Sequence, residues 1–143
     1  VDPETGVVDI LRYAAVDDVG RAINPMIVDG QTHGGIVQGV GQAMWEQCVN
    51  DRDSHQPLCG SLMDYAMPRA DHFPSFATAL NEVSSPTNPL GVKAGGEGGT
   101  TPAPGAIVNA IVDALKPLGV RDITMPATPY RVWQAIRAAK AGR

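Results

Sequence analysis

Ten consecutive residues, Gly91-Val92-Lys93-Ala94-Gly95-Gly96-Glu97-Gly98-Gly99-Thr100, hold one carboxylate among five glycines. Glycine lacks a Cβ, so a loop of this kind brings backbone N–H groups close to a ligand. A helical pattern rich in proline and alanine, Pro102-Ala103-Pro104-Gly105-Ala106-Ile107-Val108, follows directly. A helix N-terminus at that point adds unpaired donors and the positive end of a dipole. A single Glu in this setting suits a general base. A carboxylate is a weak base in water, and burial beside an anionic group raises its proton affinity. The plainer reading of Glu97 is a solvent-facing carboxylate on a glycine-rich turn.

The elements that must position this loop are legible in part. Asp2-Pro3-Glu4-Thr5-Gly6 reads as a turn, with Pro fixing φ and Gly supplying a left-handed position. The run 7–16 reads as a strand, so the turn joins two strands and only Val1 remains of the first. This predicts a chain that begins inside a hairpin and is a piece of something longer. A turn at Asp17-Asp18-Val19-Gly20 and a loop through Asn24-Pro25 lead to a helix from about Gln31 to about Gln47.

At 100° per residue, Gln31, Gln38, Gln42 and Trp45 fall on one side of that helix, with Gly34 and Gly35 near them. Ile36, Val37, Val40, Ala43 and Met44 fall opposite and face a core. Each of Gly34, Gly35, Gly39 and Gly41 costs the helix about 1 kcal/mol relative to Ala. Close approach of a backbone or a ligand is the usual compensation. The alternative for the glutamines is a polar face, with the glycines serving helix packing.

Residues 50–75 are polar and aperiodic and read as a long surface connection. Ala77–Val83 reads as a short strand. Pro104–Leu115 reads as a helix apolar on most sides, with Asn109, Asp113 and Lys116 as its polar stripe, hence buried between other elements. A short strand over Val120–Met125 follows. Thr128-Pro129 is a helix start, with Val132, Ala135, Ile136 and Ala139 as the core stripe. The sum is an α+β fold of mixed short strands with about three helices, a single domain portion over 1–143.

Composition narrows the function. The chain has 143 residues, 43% hydrophobic, with a net charge of −4, which fits a globular class. No Lys/Arg block argues for nucleic acid, and no apolar run reaches the roughly 18–20 residues of a membrane span. Cys48 and Cys59 stand eleven apart with no paired Cys or His at ligand spacing, so no protein-ligated metal site is expected. A reducing cytoplasm is the default compartment. His33, His55 and His72 read as loop or helix-end residues, Asp17-Asp18 as turn chemistry, and Trp45 and Trp133 as packing.

Three stretches together resemble one family. They are Gly30-Gln31-Thr32-His33-Gly34-Gly35-Ile36-Val37-Gln38-Gly39-Val40-Gly41-Gln42-Ala43, Asn88-Pro89-Leu90-Gly91-Val92-Lys93-Ala94-Gly95-Gly96-Glu97, and Met125-Pro126-Ala127-Thr128-Pro129-Tyr130-Arg131-Val132-Trp133. Their order resembles the C-terminal end of the molybdopterin-binding large subunit of the xanthine dehydrogenase / aldehyde oxidase family, and carbon monoxide dehydrogenase-type subunits most of all. Relatives often carry Gly-x-Gly before the Glu, where this chain has Ala94-Gly95-Gly96.

The resemblance implies a molybdenum-dependent oxidoreductase whose metal is held by a pyranopterin, as molybdopterin cytosine dinucleotide, and not by protein side chains. It implies Glu97 as the base that deprotonates a molybdenum-bound hydroxyl. The oxygen then passes to an electrophilic carbon, and electrons leave through iron–sulfur clusters to FAD on partner subunits or domains. It places Gln38, with Gln31 and Gln42, and the backbone of Lys93, Ala94, Gly95 and Gly96 beside the cofactor. The substrate is a small molecule, an aldehyde, an N-heterocycle or CO, and the chain alone is expected to be inactive. The rival is a non-catalytic module, in which the loop binds an anion or nucleotide or packs a partner subunit.

Overall fold

The computed structural model describes residues 1–142. Strand β1 (Tyr13–Asp17) leads to helix α1 (Pro25–Met44), and a long connection with one 3-10 turn (Ala70–His72) leads to strand β2 (Phe76–Leu80). Helix α2 (Ala103–Leu115) follows the glycine loop, and α3 (Pro129–Ala141) ends the chain. The strands pair in parallel, with Tyr13 opposite Phe76 and Asp17 opposite Leu80. Three helices and two short strands make the α+β class that the sequence predicts. Among the described residues no helix is long and apolar enough to cross a membrane.

The core lies between α1, α2 and α3. Ile36, Val40, Ala43 and Met44 of α1 meet Ala103, Ile107, Ile111 and Leu115 of α2, and Val132 and Ile136 of α3 close the cluster. Ala135 and Ala139 pack against it, half-buried, so the predicted α3 stripe holds. Thr128 caps α3 by accepting from Arg131 N, as its position before Pro129 implies.

Five expectations are corrected. Helix α1 begins at Pro25, six residues before Gln31, because Asn24 accepts from Ile27 N and Pro25 opens the first turn. The strand predicted over 7–16 is reduced to Tyr13–Asp17, since β2 pairs only with that stretch. The turn at 2–6 forms, with Asp2 N–H donating to Val7 O at 2.8 Å and Gly6 at φ +75°, but no ladder extends from it. The run 120–125 is no strand: Val120 and Ile123 are buried in the core, and among the described residues no ladder partner faces them. Finally, α2 buries only one stripe here, and Ala106, Ala110 and Ala114 face a cleft of about 630 Å³ shared with Val8, Ile10 and Leu11.

Candidate functional site

The glycine loop lies across α1, and the glycines on both sides make the crossing possible. A Cβ on Gly99 would stand 2.4 Å from Thr32 O and 2.8 Å from Ile36 N. One on Gly35 would stand 3.0 Å from Thr100 N, and one on Gly39 2.6 Å from Thr100 O. Two backbones therefore meet where neither can carry a side chain. A third helix glycine, Gly41, is filled from elsewhere: its Cβ would stand 2.9 Å from Pro68 Cγ.

Hydrogen bonds fix the loop at both ends of this crossing. Gln31 Nε2 donates to Gly96 O at 3.2 Å. Two turns further along α1, the Thr100 hydroxyl has Gly35 O and Gln38 Oε1 both at 3.1 Å. Gln31, Gly35 and Gln38 share one helix face, so the loop that carries Glu97 is laid along the face that the sequence marks as polar. Thr101 N–H donates to Glu97 O at 3.0 Å, which turns the chain into α2.

A second anchor holds the start of the loop. Asp18 accepts from Gly20 N–H at 2.8 Å and Val83 N–H at 3.2 Å, and pairs with Lys93 Nζ at 2.5 Å. The Lys93 ammonium, with the Gly20 N–H behind it, holds the Asp18 carboxyl below the ordinary carboxylate range. Lys93 N–H also donates to Val19 O at 2.8 Å. The side chain of Lys93 is thus engaged with the protein itself, while Ala94 and Gly96 stay exposed beside Gln31. Asp18 does more than the turn chemistry expected of it: it joins three separate segments.

Each remaining predicted residue has a definite place. Glu97 is exposed, so this chain alone does not supply the burial expected for a base. Gln42 is exposed one turn beyond Gln38, and among the described residues no hydrogen bond ties it to the loop. His33 belongs to the sheet side, its ring 5.2 Å from that of Phe76. Trp45 packs on His72 and Phe73, and Trp133 stacks with Tyr130 and under Arg137. Cys48 and Cys59 are free thiols. Among the described residues no cluster of His, Cys, Asp or Glu could hold a metal ion.

An anion cradle at the start of α2 has little to work with. Pro102 and Pro104 carry no N–H, Thr101 N–H is taken by Glu97 O, and Ala106 N–H by Pro102 O. Thr100 is the residue that sequence reasoning passed over. Its signal is three-dimensional, arising only when the loop is laid on α1.

Among the described residues, nothing fills the space beside two glycines on this surface. A Cβ on Gly34 or Gly96 would meet nothing within 4 Å, and neither has the positive φ that demands glycine. Both lie beside the Gln31–Gly96 contact, where room is left for a group from outside the chain.

A helix face carrying two glutamines is thus crossed by a glycine loop that leaves the Glu97 carboxylate exposed. The chain belongs to the molybdopterin cofactor-binding domain family, which its residues 1–74 match. It is 41% identical over 140 residues to the nicotine 6-hydroxylase large subunit of Paenarthrobacter nicotinovorans, covering 98% of this chain and 17% of that protein. It is 37% identical over 137 residues to the carbon monoxide dehydrogenase large chain of Hydrogenophaga pseudoflava, covering 96% of this chain and again 17% of the relative. Reconstituted CO dehydrogenase from Oligotropha carboxidovorans superposes with a TM-score of 0.91 at 33% identity, covering 100% of this chain and 18% of that one. The chain thus spans about a sixth of the length of the curated relatives it matches.

Proposed function

We propose that this chain supplies one wall of the molybdenum cofactor site in a hydroxylase or dehydrogenase large subunit, with Glu97 as its general base. The observation that carries the reading is the docking of the Glu97 loop along the Gln31–Gly35–Gln38 face of α1. The open positions at Gly34 and Gly96 fit a flat, bulky group there. When bound, the cofactor supplies water-derived oxygen transfer and takes up the electrons of the substrate.

The protein's own part is binding and proton transfer. Gln38 presents its amide to a pterin edge, which needs both donors and acceptors. Gln31 holds Gly96 O and so fixes the backbone of Lys93, Ala94, Gly95 and Gly96 at the cofactor's rim, with Gln42 at its far end. Glu97 accepts the proton released as oxygen is transferred. Its exposure here fits a site whose burial comes from the remainder of the large subunit.

The finer assignments rest on the relatives. A cytosine dinucleotide form of the cofactor, iron–sulfur and FAD partner subunits, and a cytoplasmic setting follow from the family likeness. A small substrate such as an N-heterocycle, an aldehyde or CO is supported by relatives named for nicotine and carbon monoxide.

The test is Glu97→Gln in the cofactor-loaded enzyme. A positioned general base contributes about 10²–10⁴-fold, so turnover falls by at least that factor while molybdenum and pterin content stay at wild-type level. Turnover within a few-fold of wild type removes Glu97 from the reaction. Absence of both molybdenum and pterin from the wild-type protein removes the cofactor reading altogether.

A further inference from the structure

The geometry points to Thr100 as a positioning residue for Gln38: its hydroxyl holds the carboxamide oxygen and turns the amide NH₂ toward the cofactor. The inference rests on the reading of Gln38 as a cofactor contact. Four observations lead to it. Thr100 Oγ1 lies 3.1 Å from Gln38 Oε1 and 3.1 Å from Gly35 O, so one hydroxyl proton is shared between the helix backbone and the glutamine. Among the described residues Gln38 Nε2 donates to none, and the side chain is exposed, so its two donors face outward. The Thr100 backbone cannot drift, because it is clamped against Gly35 and Gly39, where a Cβ would stand 3.0 Å from Thr100 N and 2.6 Å from Thr100 O. Thr100 is also separated from Glu97 by only two residues, in a turn closed by the bond from Thr101 N–H to Glu97 O.

The consequence is a mechanical link between the two halves of the surface. A free glutamine on an exposed helix face samples several rotamers and both amide orientations. With its oxygen held through one lone pair, it presents two N–H donors outward and keeps a second lone pair to accept with. The chain segment that holds it is the segment that carries the carboxylate. Seating a cofactor against Gln38 therefore also fixes the loop at Glu97.

The experiment is a mutant cycle in the cofactor-loaded enzyme, read by pterin fluorescence and molybdenum remaining after dialysis. Thr100→Val keeps the shape and removes the hydroxyl; Thr100→Ser keeps the hydroxyl; Gln38→Ala removes the group it holds. A neutral hydrogen bond corresponds to about a 2- to 10-fold change, so Thr100→Val should release cofactor faster by that factor. Thr100→Ser should restore retention, and Thr100→Val should add nothing in the Gln38→Ala background. The thermal midpoint of cofactor-free protein separates a general loosening, because it registers loss of the Gly35 bond whether or not Gln38 is present. Equal losses from Thr100→Val with and without Gln38 overturn the inference, as does wild-type retention in Thr100→Val when Gln38→Ala releases cofactor. Wild-type retention in Gln38→Ala itself overturns the underlying role of Gln38, and the inference with it.

Discussion

Gln31 reaches from the second turn of α1 to the carbonyl of Gly96, 65 residues later, and holds it at 3.2 Å. The next residue is Glu97. A surface hydrogen bond between these two therefore sets the path of the backbone that delivers the carboxylate. Its net worth is that of an exposed neutral bond, at most about 0.5–1.5 kcal/mol. Gln31→Ala should leave global stability nearly unchanged and loosen the loop alone. The amides of residues 94–99 should exchange faster by up to roughly 10-fold, as seen by hydrogen exchange and mass spectrometry. Unchanged exchange in that segment would show that the glycine crossing holds the loop without Gln31.

The glycines of α1 separate into two kinds, and a pair of alanine substitutions tells them apart. Each interior glycine costs a helix about 1 kcal/mol relative to alanine, so an unopposed Gly→Ala change stabilises by that amount. Gly34 meets nothing within 4 Å, and Gly34→Ala should raise the unfolding free energy of the cofactor-free chain by up to about 1 kcal/mol. At Gly39 the new methyl would stand 2.6 Å from Thr100 O and 2.8 Å from Ala103 Cβ. Overpacking against a backbone typically costs about 1–3 kcal/mol, which exceeds the propensity gain, so Gly39→Ala should destabilise. Urea unfolding of the two variants measures both signs. If Gly34 is kept open for a cofactor, Gly34→Ala should also lower cofactor retention while stabilising the empty chain.

What could be read from the sequence follows the range of the interactions involved. The start of α3 at Thr128-Pro129 and the turn at 2–6 are local, set by a cap and by φ preferences within a few residues, and both are present. The core stripe of α1 follows from helical period alone. The ends of strands are not local. Val7 to Arg12 have strand-like residues but, among the described residues, no partner strand, so propensity has nothing to pair with. Val120 and Ile123 are drawn into the core by burial instead. The start of α1 was within reach: Asn24 before Pro25 is a capping signal, masked by the glycines that follow. Gln38 and Glu97 could be singled out by residue type, but Thr100 could not, because a threonine becomes informative only when helix and loop meet. Asp18 is the same case, with Gly20 two residues away and Val83 and Lys93 far along the chain.

Asp18 also gives the chain a pH dependence of definite sign. Its carboxyl is held below the ordinary value of 3.8, first by the hydrogen bond from Lys93 and then by the Gly20 N–H. A carboxyl whose folded pKa is depressed binds its proton more readily in the unfolded chain. Its contribution to stability is therefore complete above the ordinary value and is lost as pH falls through the folded one. Asp18→Asn should lower the thermal midpoint near neutral pH, and the gap to wild type should close in strong acid. Both side chains are about a third exposed, so added salt should narrow the gap as well. Lys93→Met should reproduce most of the loss, and the double variant should be less destabilised than the sum of the two singles, because they share one contact. A gap between Asp18→Asn and wild type that stays constant from neutral pH into strong acid would mean that the ion pair contributes nothing, leaving the Gly20 and Val83 hydrogen bonds to hold the loop.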